Sequence, residues 1–172
     1  MPIAINGSGT ITGVSAGGLQ AGAGPVLMTE QVASGTSIDF TGIPSWAKRI
    51  TVMFNALSTN GTSVILVQIG SGASYTGTIW TASANVQLTQ GFPIFSPISA
   101  GYNGCGVVVL CRLTGNIWCE SGNMVYGNTG STGWSSAGIL QSAPTGNLDR
   151  IRITTVGGTD TFDAGSINVM YE

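Results

Sequence analysis

Hydrophobic and polar residues alternate with a period of two along much of the chain after residue 36, which is typical of half-buried β-strands. Residues 48–57 show this most clearly, because one face collects four apolar side chains: Ile50, Val52, Phe54 and Ala56. Residues 63–69 are apolar on both faces, which indicates a central strand. The turn signal Thr59-Asn60-Gly61 separates the two segments, so we predict that they form a hairpin.

A second pair of strands is predicted around the turn Thr114-Gly115-Asn116. Residues 107–113 precede this turn and the sequence IWCESGNMVY follows it. If Leu113 pairs with Ile117, Cys111 falls opposite Cys119, and their Cβ atoms would lie about 4.5–5.5 Å apart.

The C-terminal third carries two further alternating segments. Residues 150–156 direct Ile151 and Ile153 to one side and two arginines to the other. The last strand, residues 166–172, places three residues on one face: Ile167, Val169 and Tyr171. Both segments are predicted to be strands with one buried face.

The whole pattern gives nine or ten short strands with turn signals every 8–12 residues, which is typical of an all-β protein. We predict an antiparallel β-sandwich, jelly-roll-like, over residues 36–172. Residues 70–83 are predicted as a loop with a short strand, and residues 127–138 as a loop. Residues 91–99 contain two prolines, so we predict an edge strand or an irregular crossing there.

Residues 1–35 differ from the rest of the chain. Seven glycines lie between Gly7 and Gly24, and no charged residue falls in that stretch. Such a glycine density disfavours a helix and weakens an isolated strand. We therefore predict an extended Gly-rich N-terminal arm over residues 1–35 that docks on a partner.

Charge is scarce, and this excludes several functions. The chain has five Lys and Arg, seven Asp and Glu, and no His, so 7% of its residues are charged. Five cations cannot build a phosphate-tracking patch, which excludes a basic nucleic-acid-binding protein. The absence of histidine excludes a His-dependent catalytic triad and a His-ligated zinc site. The surface must then be built from uncharged polar residues, or be covered by symmetric copies of the chain.

Targeting signals are not evident. The sequence has no apolar run of 18 residues, so we expect no membrane insertion. Its N-terminus lacks the cationic and apolar regions of a secretory signal, so we expect synthesis and retention in a cytoplasm.

Three cysteines stand at positions 105, 111 and 119. An odd number in a chain without a signal peptide disfavours a disulfide scaffold, and their spacing without histidine disfavours zinc. We interpret them as small buried hydrophobic residues. A disulfide between Cys111 and Cys119 is conceivable from the pairing above, although a reducing compartment argues against it.

Three segments resemble tailed-bacteriophage tail-fibre and receptor-binding proteins. They are INGSGTITGVSAGGL, SIDFTGIPSWAKRITVMFNALSTNGTS and GNLDRIRITTVGGTDTFDAGSINVMYE, about 70 of the 172 residues. The resemblance implies a virion structural protein, made in the host cytoplasm, that forms a homotrimer with β-sandwich tips. It also implies that the N-terminal segment attaches to other virion proteins and that the distal end contacts the host surface.

Catalysis and metal binding are not expected. Cleavage of a polysaccharide needs two carboxylates about 5–9.5 Å apart, and only Asp160 and Asp163 are close in sequence. They lie in a Gly-rich turn, where Asp usually bonds to nearby backbone, although a cation site is an alternative. We therefore predict no enzyme, no cofactor and no metal.

Binding of a host-surface polysaccharide without catalysis is plausible, because sugars stack on aromatic rings. Four aromatic residues in polar surroundings are the candidate glycan-binding residues: Tyr75, Trp80, Tyr126 and Trp134. Trp134 is the strongest, since Gly and Ser flank it; the alternative is a Trp buried over a sheet edge or at a subunit interface. Trp46 and Trp118 are interpreted as packing residues.

Four of the five cations fall in two predicted strands: Lys48, Arg49, Arg150 and Arg152. We expect ion pairs with Asp39, Asp149 or Glu172, or alternatively a site for anionic lipopolysaccharide.

The leading hypothesis is a phage fibre or spike subunit that binds a glycan through distal loops. The alternatives are a capsid-decorating or tail-connecting protein without a ligand, and a small glycan-cleaving enzyme. A receptor-binding role predicts that the four aromatic residues cluster at the end farthest from the arm.

Overall fold

A computed structural model describes residues 4–5, 11–12, 24–75, 79–81, 91–97, 99–128, 132–140 and 146–172. For residues 4–5, 11–12 and 79–81 it describes the backbone. Most of the predicted arm lies outside the described residues.

The described residues form strands and no helix. The strands are β1 (Ala4–Ile5), β2 (Ile11–Thr12), β3 (Val26–Leu27), β4 (Gln31–Val32), β5 (Ser37–Thr41), β6 (Arg49–Thr59), β7 (Ile65–Ser71), β8 (Ser74–Tyr75), β9 (Ile79–Thr81), β10 (Phe92–Phe95), β11 (Asn103–Thr114), β12 (Ile117–Gly127), β13 (Thr132–Leu140), β14 (Arg150–Thr155) and β15 (Phe162–Tyr171).

Two antiparallel sheets make the body of the protein. The large sheet has the order β3-β15-β6-β11-β12-β13-β9, with β4 also paired to β15. The small sheet has the order β10-β7-β14-β5, with β8 paired to β7. A separate two-stranded pairing joins β1 to β2. The predicted all-β sandwich is confirmed.

The hydrophobic core lies between the two sheets, because alternate residues of each strand point inward. The large sheet contributes Ile50, Val52, Val108, Leu110, Trp118, Ile167 and Val169, and the small sheet contributes Ile38, Phe40, Val67, Ile69, Phe92, Ile151 and Ile153. Each of these is at most 4% exposed. The period-two pattern therefore identified the buried faces of β14 and β15 and of β6 as far as Phe54. The placement of Ala56 on the buried face of β6 is wrong, because its backbone has a positive φ of 50° and Leu57 is buried in its place.

The sandwich includes part of the segment predicted as an arm. Strands β3 and β4 pair with β15, where Leu27 lies opposite Met170 and Val32 lies opposite Ser166. Ala33 is 3% exposed and belongs to the core. The packed body therefore begins earlier in the chain than the predicted boundary at residue 35.

The predicted hairpin between residues 48–57 and 63–69 is wrong. Strand β6 pairs with β11 and β15 in the large sheet, whereas β7 pairs with β10 and β14 in the small sheet. The turn after Thr59 thus carries the chain from one sheet to the other. Strand β7 is nevertheless interior to its sheet, as its two apolar faces predicted, and β10 is an edge strand, as the prolines predicted.

The loop predicted over residues 127–138 is also largely wrong, because residues 132–140 form β13. Its small residues fit closely against β12: Gly138 lies opposite Glu120, and Ser136 lies opposite Gly122. A Cβ at Gly122 would lie 2.7 Å from Ser136 Oγ and 2.9 Å from Glu120 Oε1. The Gly- and Ser-rich composition therefore reflects packing inside a sheet.

The search for membrane spans found no helix in the described ranges that is long and apolar enough to cross a bilayer.

Candidate ligand-binding face on the small sheet

Charge is concentrated on the outer side of the small sheet. Of the twelve charged residues, five cationic and seven acidic, four lie there together with one tyrosine. We call this surface the charged face and define it by Asp39, Tyr75, Asp149, Arg150 and Arg152. It is built from β5, β14 and β8 and from the residue that precedes β14.

The strand register places these side chains together. On β14, Arg152 lies between Asp39 of β5 and Gln68 of β7. Tyr75 of β8 lies opposite Gly70 of β7. A Cβ at Gly70 would come within 2.8 Å of the Tyr75 ring. Glycine at this position therefore lets the tyrosine ring lie over β7 toward Arg152.

Arg152, Asp39 and Tyr75 form one connected group. Arg152 donates two parallel hydrogen bonds to Asp39, from Nε to Oδ1 and from Nη2 to Oδ2, both 2.7 Å. The Tyr75 hydroxyl donates to Asp39 Oδ1 at 3.1 Å. The guanidinium carbon of Arg152 lies 4.1 Å from the centre of the Tyr75 ring. This double bond and stacked ring fix the arginine in one orientation.

A second ion pair flanks this group. Arg150 Nε donates to Asp149 Oδ1 at 2.7 Å, and the Gly72 amide donates to Asp149 Oδ2 at 3.2 Å. The face thus carries two positive and two negative charges in adjacent pairs. The four charges sum to zero, so the face presents hydrogen-bond donors and acceptors to a ligand without carrying a net charge.

The ionisation of these groups follows from their contacts. The hydrogen bond from Arg152 lowers the pKa of Asp39, although partial burial opposes that shift. Burial raises the pKa of Tyr75, and the neighbouring Asp39 carboxylate raises it further. At neutral pH, Asp39 is therefore ionised and Tyr75 remains a neutral hydroxyl that donates its proton.

An open groove of about 360 Å³ adjoins the group, lined by Gln68, Arg152, Thr154, Thr155, Gly157 and Gly158. Its volume is at the lower end of the range for small-molecule sites, about 300–1,000 Å³. Hydroxyl, amide and guanidinium groups line it next to an aromatic ring, which is the chemistry that hydroxyl-rich ligands use.

The other predicted glycan-binding residues lie elsewhere. Tyr126 is on β12 and is 5% exposed, and it stacks on Phe95 with ring centres 5.5 Å apart. Its interpretation as an aromatic residue in a polar loop is wrong, because the ring fills the core. Trp134 lies on β13, half-buried against the same core. The backbone of Trp80 pairs with Ile139 at the far edge of the large sheet, and its side chain is outside the described part. The three candidates whose side chains the structure describes do not form one exposed cluster: Tyr75 lies on the charged face, whereas Tyr126 and Trp134 pack against the core.

The predicted ion pairs of three arginines are confirmed. Arg49 pairs with Glu172 at 3.0 Å, Arg150 with Asp149, and Arg152 with Asp39. All three acids are those expected from the sequence. Trp118 is 2% exposed, and Trp46 packs edge-on against Tyr171 with ring centres 5.6 Å apart, so both are packing residues as predicted.

Glu120 is a buried carboxyl group that was not predicted from the sequence. Glu120 is 4% exposed on the inner side of β12. Its Oε1 accepts a 2.7 Å hydrogen bond from Ser136 Oγ, and its Oε2 has no hydrogen-bond partner among the described residues. Burial raises its pKa to about 7. The signal was present, since an acid occupies the apolar phase of a strand between Trp118 and Met124.

Among the described residues, the acidic side chains and the cysteines do not form a second candidate site for catalysis or metal binding. Asp160 Oδ2 accepts a 2.9 Å hydrogen bond from the amide of Ser63, so it ties two turns together. A search of the described residues found no group of three His, Cys, Asp or Glu side chains placed to hold a metal ion. The cysteines are not buried as predicted: Cys105 and Cys111 are exposed and Cys119 is half-buried.

Comparison with protein-family models, with curated proteins and with solved structures gave no match for this chain.

Replacing Arg152 with Lys is expected to lower the free energy of unfolding by about 1–2 kcal/mol, because an ammonium group cannot make the double bond to Asp39 or stack on Tyr75. The matched control is Arg49→Lys, whose ion pair is exposed and single, with an expected loss below about 0.5 kcal/mol. Urea unfolding followed by circular dichroism measures both. Equal losses in the two variants would show that the double hydrogen bond and the stacked ring at Arg152 add no stability beyond that of an exposed ion pair.

Proposed function

We propose that this chain is a structural protein of a bacteriophage virion, a fibre or spike subunit. It attaches to other virion proteins through the segment N-terminal to β3, associates as a homotrimer, and binds a host-surface polysaccharide without cleaving it. The family resemblance of the arm and of the two ends of the body supports the assignment to a virion.

The observation that carries the proposal is the contrast between the outer sides of the two sheets. On the large sheet, the outward residues of three adjacent strands include no charged side chain. We call this surface the neutral face and define it by Val107 and Val109 of β11, Ser121, Asn123 and Val125 of β12, and Ser135 and Ala137 of β13. Val107 is 40% exposed and Val125 is 52% exposed.

A neutral face of this kind supports association with identical copies. Exposed valines gain by leaving water, and the serine and asparagine side chains supply hydrogen bonds at the rim. Two copies carry no charge on this surface, so their approach meets no like-charge repulsion. The neutral face has no charged side chains to keep it soluble, and a closed symmetric assembly of copies would remove it from water.

The charged face supports a polysaccharide ligand. It combines an aromatic ring, a carboxylate, two guanidinium groups and a neighbouring groove with hydroxyl and amide groups. The ligand site that we propose lies on strands, and not in the distal loops that the sequence suggested. Tyr75 is the one residue of the four original candidates that takes part in it.

A capsid-decorating or tail-connecting role without a ligand is the second candidate. The separation of Tyr75 on the charged face from Tyr126 and Trp134, which pack against the core, favours it, since a loop-based receptor site would gather these rings on one surface. In that case the charged face serves only to stabilise the small sheet.

A panel of immobilised bacterial lipopolysaccharides and capsular polysaccharides separates the two candidates. We expect the full chain to bind at least one of them, and Tyr75→Ala to weaken that binding by about tenfold, since an aromatic contact contributes about 0.5–1.5 kcal/mol and about 1.4 kcal/mol corresponds to tenfold in affinity. Trp46→Ala is the aromatic control and should leave binding unchanged. Retention of full binding by Tyr75→Ala would remove the charged face from the proposal, and no binding to any member would favour the ligand-free role.

A further inference from the structure

Two of the three cysteines lie directly opposite each other on neighbouring strands. Cys111 of β11 is the register partner of Cys119 of β12, and the turn at Gly115 joins the two strands. Both side chains point to the outer side of the large sheet, where Cys111 is exposed and Cys119 is half-buried. The pair lies at the margin of the neutral face, toward Arg49 of β6, which is the other register partner of Cys111.

The hydrogen-bond pattern fixes how close the two cysteines come. The amide of Arg112 donates to the carbonyl of Lys48 at 2.8 Å, so Arg112 directs its backbone groups toward β6. Successive residues of an antiparallel strand direct these groups to opposite sides, and Cys111 therefore directs its own toward Cys119. Opposed residues of this kind have Cα atoms about 5.5 Å apart, which lies within the range spanned by disulfides, about 4.4–6.8 Å.

The third cysteine provides an internal comparison. Cys105 is exposed and lies opposite Val125, and its Sγ accepts a 3.2 Å hydrogen bond from the amide of Ala56. Six positions along β11 separate Cys105 from Cys111, which is about 20 Å of extended strand. Cys105 therefore cannot reach the other two thiols within the same chain.

We propose that Cys111 and Cys119 form a cross-strand dithiol that a small-molecule disulfide, such as glutathione disulfide, oxidises to an intrachain disulfide. One thiolate attacks a sulfur atom of the small disulfide and releases the first small thiol. The second thiolate then attacks the mixed disulfide at the protein sulfur and releases the second small thiol. The chain loses two electrons and two protons, and both are recovered in the two small thiols.

This bond would change the molecule in a defined way. It links the strands that the Gly115 turn joins and restricts the unfolded chain. Because the pair is of the hydrogen-bonded type, its Cβ atoms lie toward the wider end of the range of about 4.5–5.5 Å for opposed strand residues. A disulfide prefers about 3.8 Å, so closure draws the strands together and leaves some strain. A strained, exposed disulfide is easily reduced again. The pair would therefore be open in a reducing cytoplasm and closed in an oxidising medium, whatever the function of the protein.

The test is oxidation of the full chain by glutathione disulfide, followed by a free-thiol count in denaturant and by peptide mapping. Cys105→Ser should lose both of its thiols, and wild type should lose these two and a third through a mixed disulfide of glutathione with exposed Cys105. Both should yield a linked peptide that contains Cys111 and Cys119. Cys111→Ser and Cys119→Ser should give mixed disulfides with glutathione and no internal link. Oxidised wild type should also melt several degrees higher than its reduced form.

Assembly of copies could shield the pair, so oxidation is carried out both on the folded protein and during refolding from denaturant. The internal link after refolding alone supports the dithiol and shows that the assembly covers it. Absence of the link under both conditions, with mixed disulfides or linked dimers in its place, overturns the proposal.

Discussion

Replacing Phe95 with Ala is expected to lower the free energy of unfolding by about 3–5 kcal/mol, because the lost ring leaves a cavity between the two sheets. Phe95 of β10 is fully buried and stacks on Tyr126 of β12. Its ring also occupies the space above Gly104 of β11, where a Cβ would lie 2.7 Å from the ring. One side chain of the small sheet thus contacts two strands of the large sheet.

Chemical unfolding at fixed protein concentration measures this loss. The control is Leu113→Ala, whose side chain is 65% exposed at the end of β11 and whose expected change is within about 0.5 kcal/mol. A loss below about 1 kcal/mol for Phe95→Ala would mean that the two sheets do not rely on this contact.

The stability of the protein is expected to fall as the pH rises from about 4.5 to about 7, because Glu120 is buried without a charged partner. In the folded chain the pKa of Glu120 is about 7, and its ordinary value is 4.5. Below pH 4.5 both folded and unfolded states hold the proton and nothing is lost. Between the two values the unfolded state ionises first, and above pH 7 the loss is complete, at about 3 kcal/mol.

Glu120→Gln is expected to abolish this slope, since the amide carries no proton equilibrium and keeps an oxygen for Ser136. At pH 8 the variant should be more stable than wild type by about 3 kcal/mol, and near pH 4 the two should agree. Glu30→Gln, at an exposed position, should keep the wild-type slope. A flat wild-type profile, or a slope that survives in Glu120→Gln, contradicts this account.

The pKa shifts of Asp39, Asp149 and Tyr75 affect stability outside this pH window. The pKa values of Asp39 and Asp149 are lowered in the folded chain, mainly by hydrogen bonds from arginines. Their contribution is present above the ordinary aspartate pKa and is lost as the pH falls below it. The elevated pKa of Tyr75 matters only in alkaline solution. The strands packed on Glu120 present Leu110, Gly138 and Ser136 to it, none of which titrates.

Sequence patterns predicted the features that depend on residues close together in the chain, such as the pairing of strands across a short turn and the buried face of a strand. The predicted placement of Cys111 opposite Cys119 is confirmed, although the pairing of Leu113 with Ile117 from which it followed is wrong. Thr114 pairs with Ile117, and a bulge between Arg112 and Thr114 shifts the register by one residue. Alternation likewise placed Ile151 and Ile153 inside and the arginines outside. Both inferences needed no knowledge of which sheet the strands belong to.

Long-range pairing could not be predicted in the same way. A turn after Thr59 fits either a hairpin or a crossing between sheets, and the sequence does not distinguish these two geometries. The Gly- and Ser-rich stretch around Trp134 has the composition of a loop, although it forms β13, where its small residues pair with small residues of β12 such as Gly122 opposite Ser136. Tyr75 reaches Asp39 only because β8 folds back on β7, a contact between residues 36 positions apart.

The central claim is that copies of the chain cover the neutral face around Val107 and Val125. Light scattering of the purified protein in solution tests this claim most directly. We expect a mass near three times the 17.5 kDa of the single chain. A mass of 17.5 kDa at micromolar concentration, unchanged on further concentration, would contradict it.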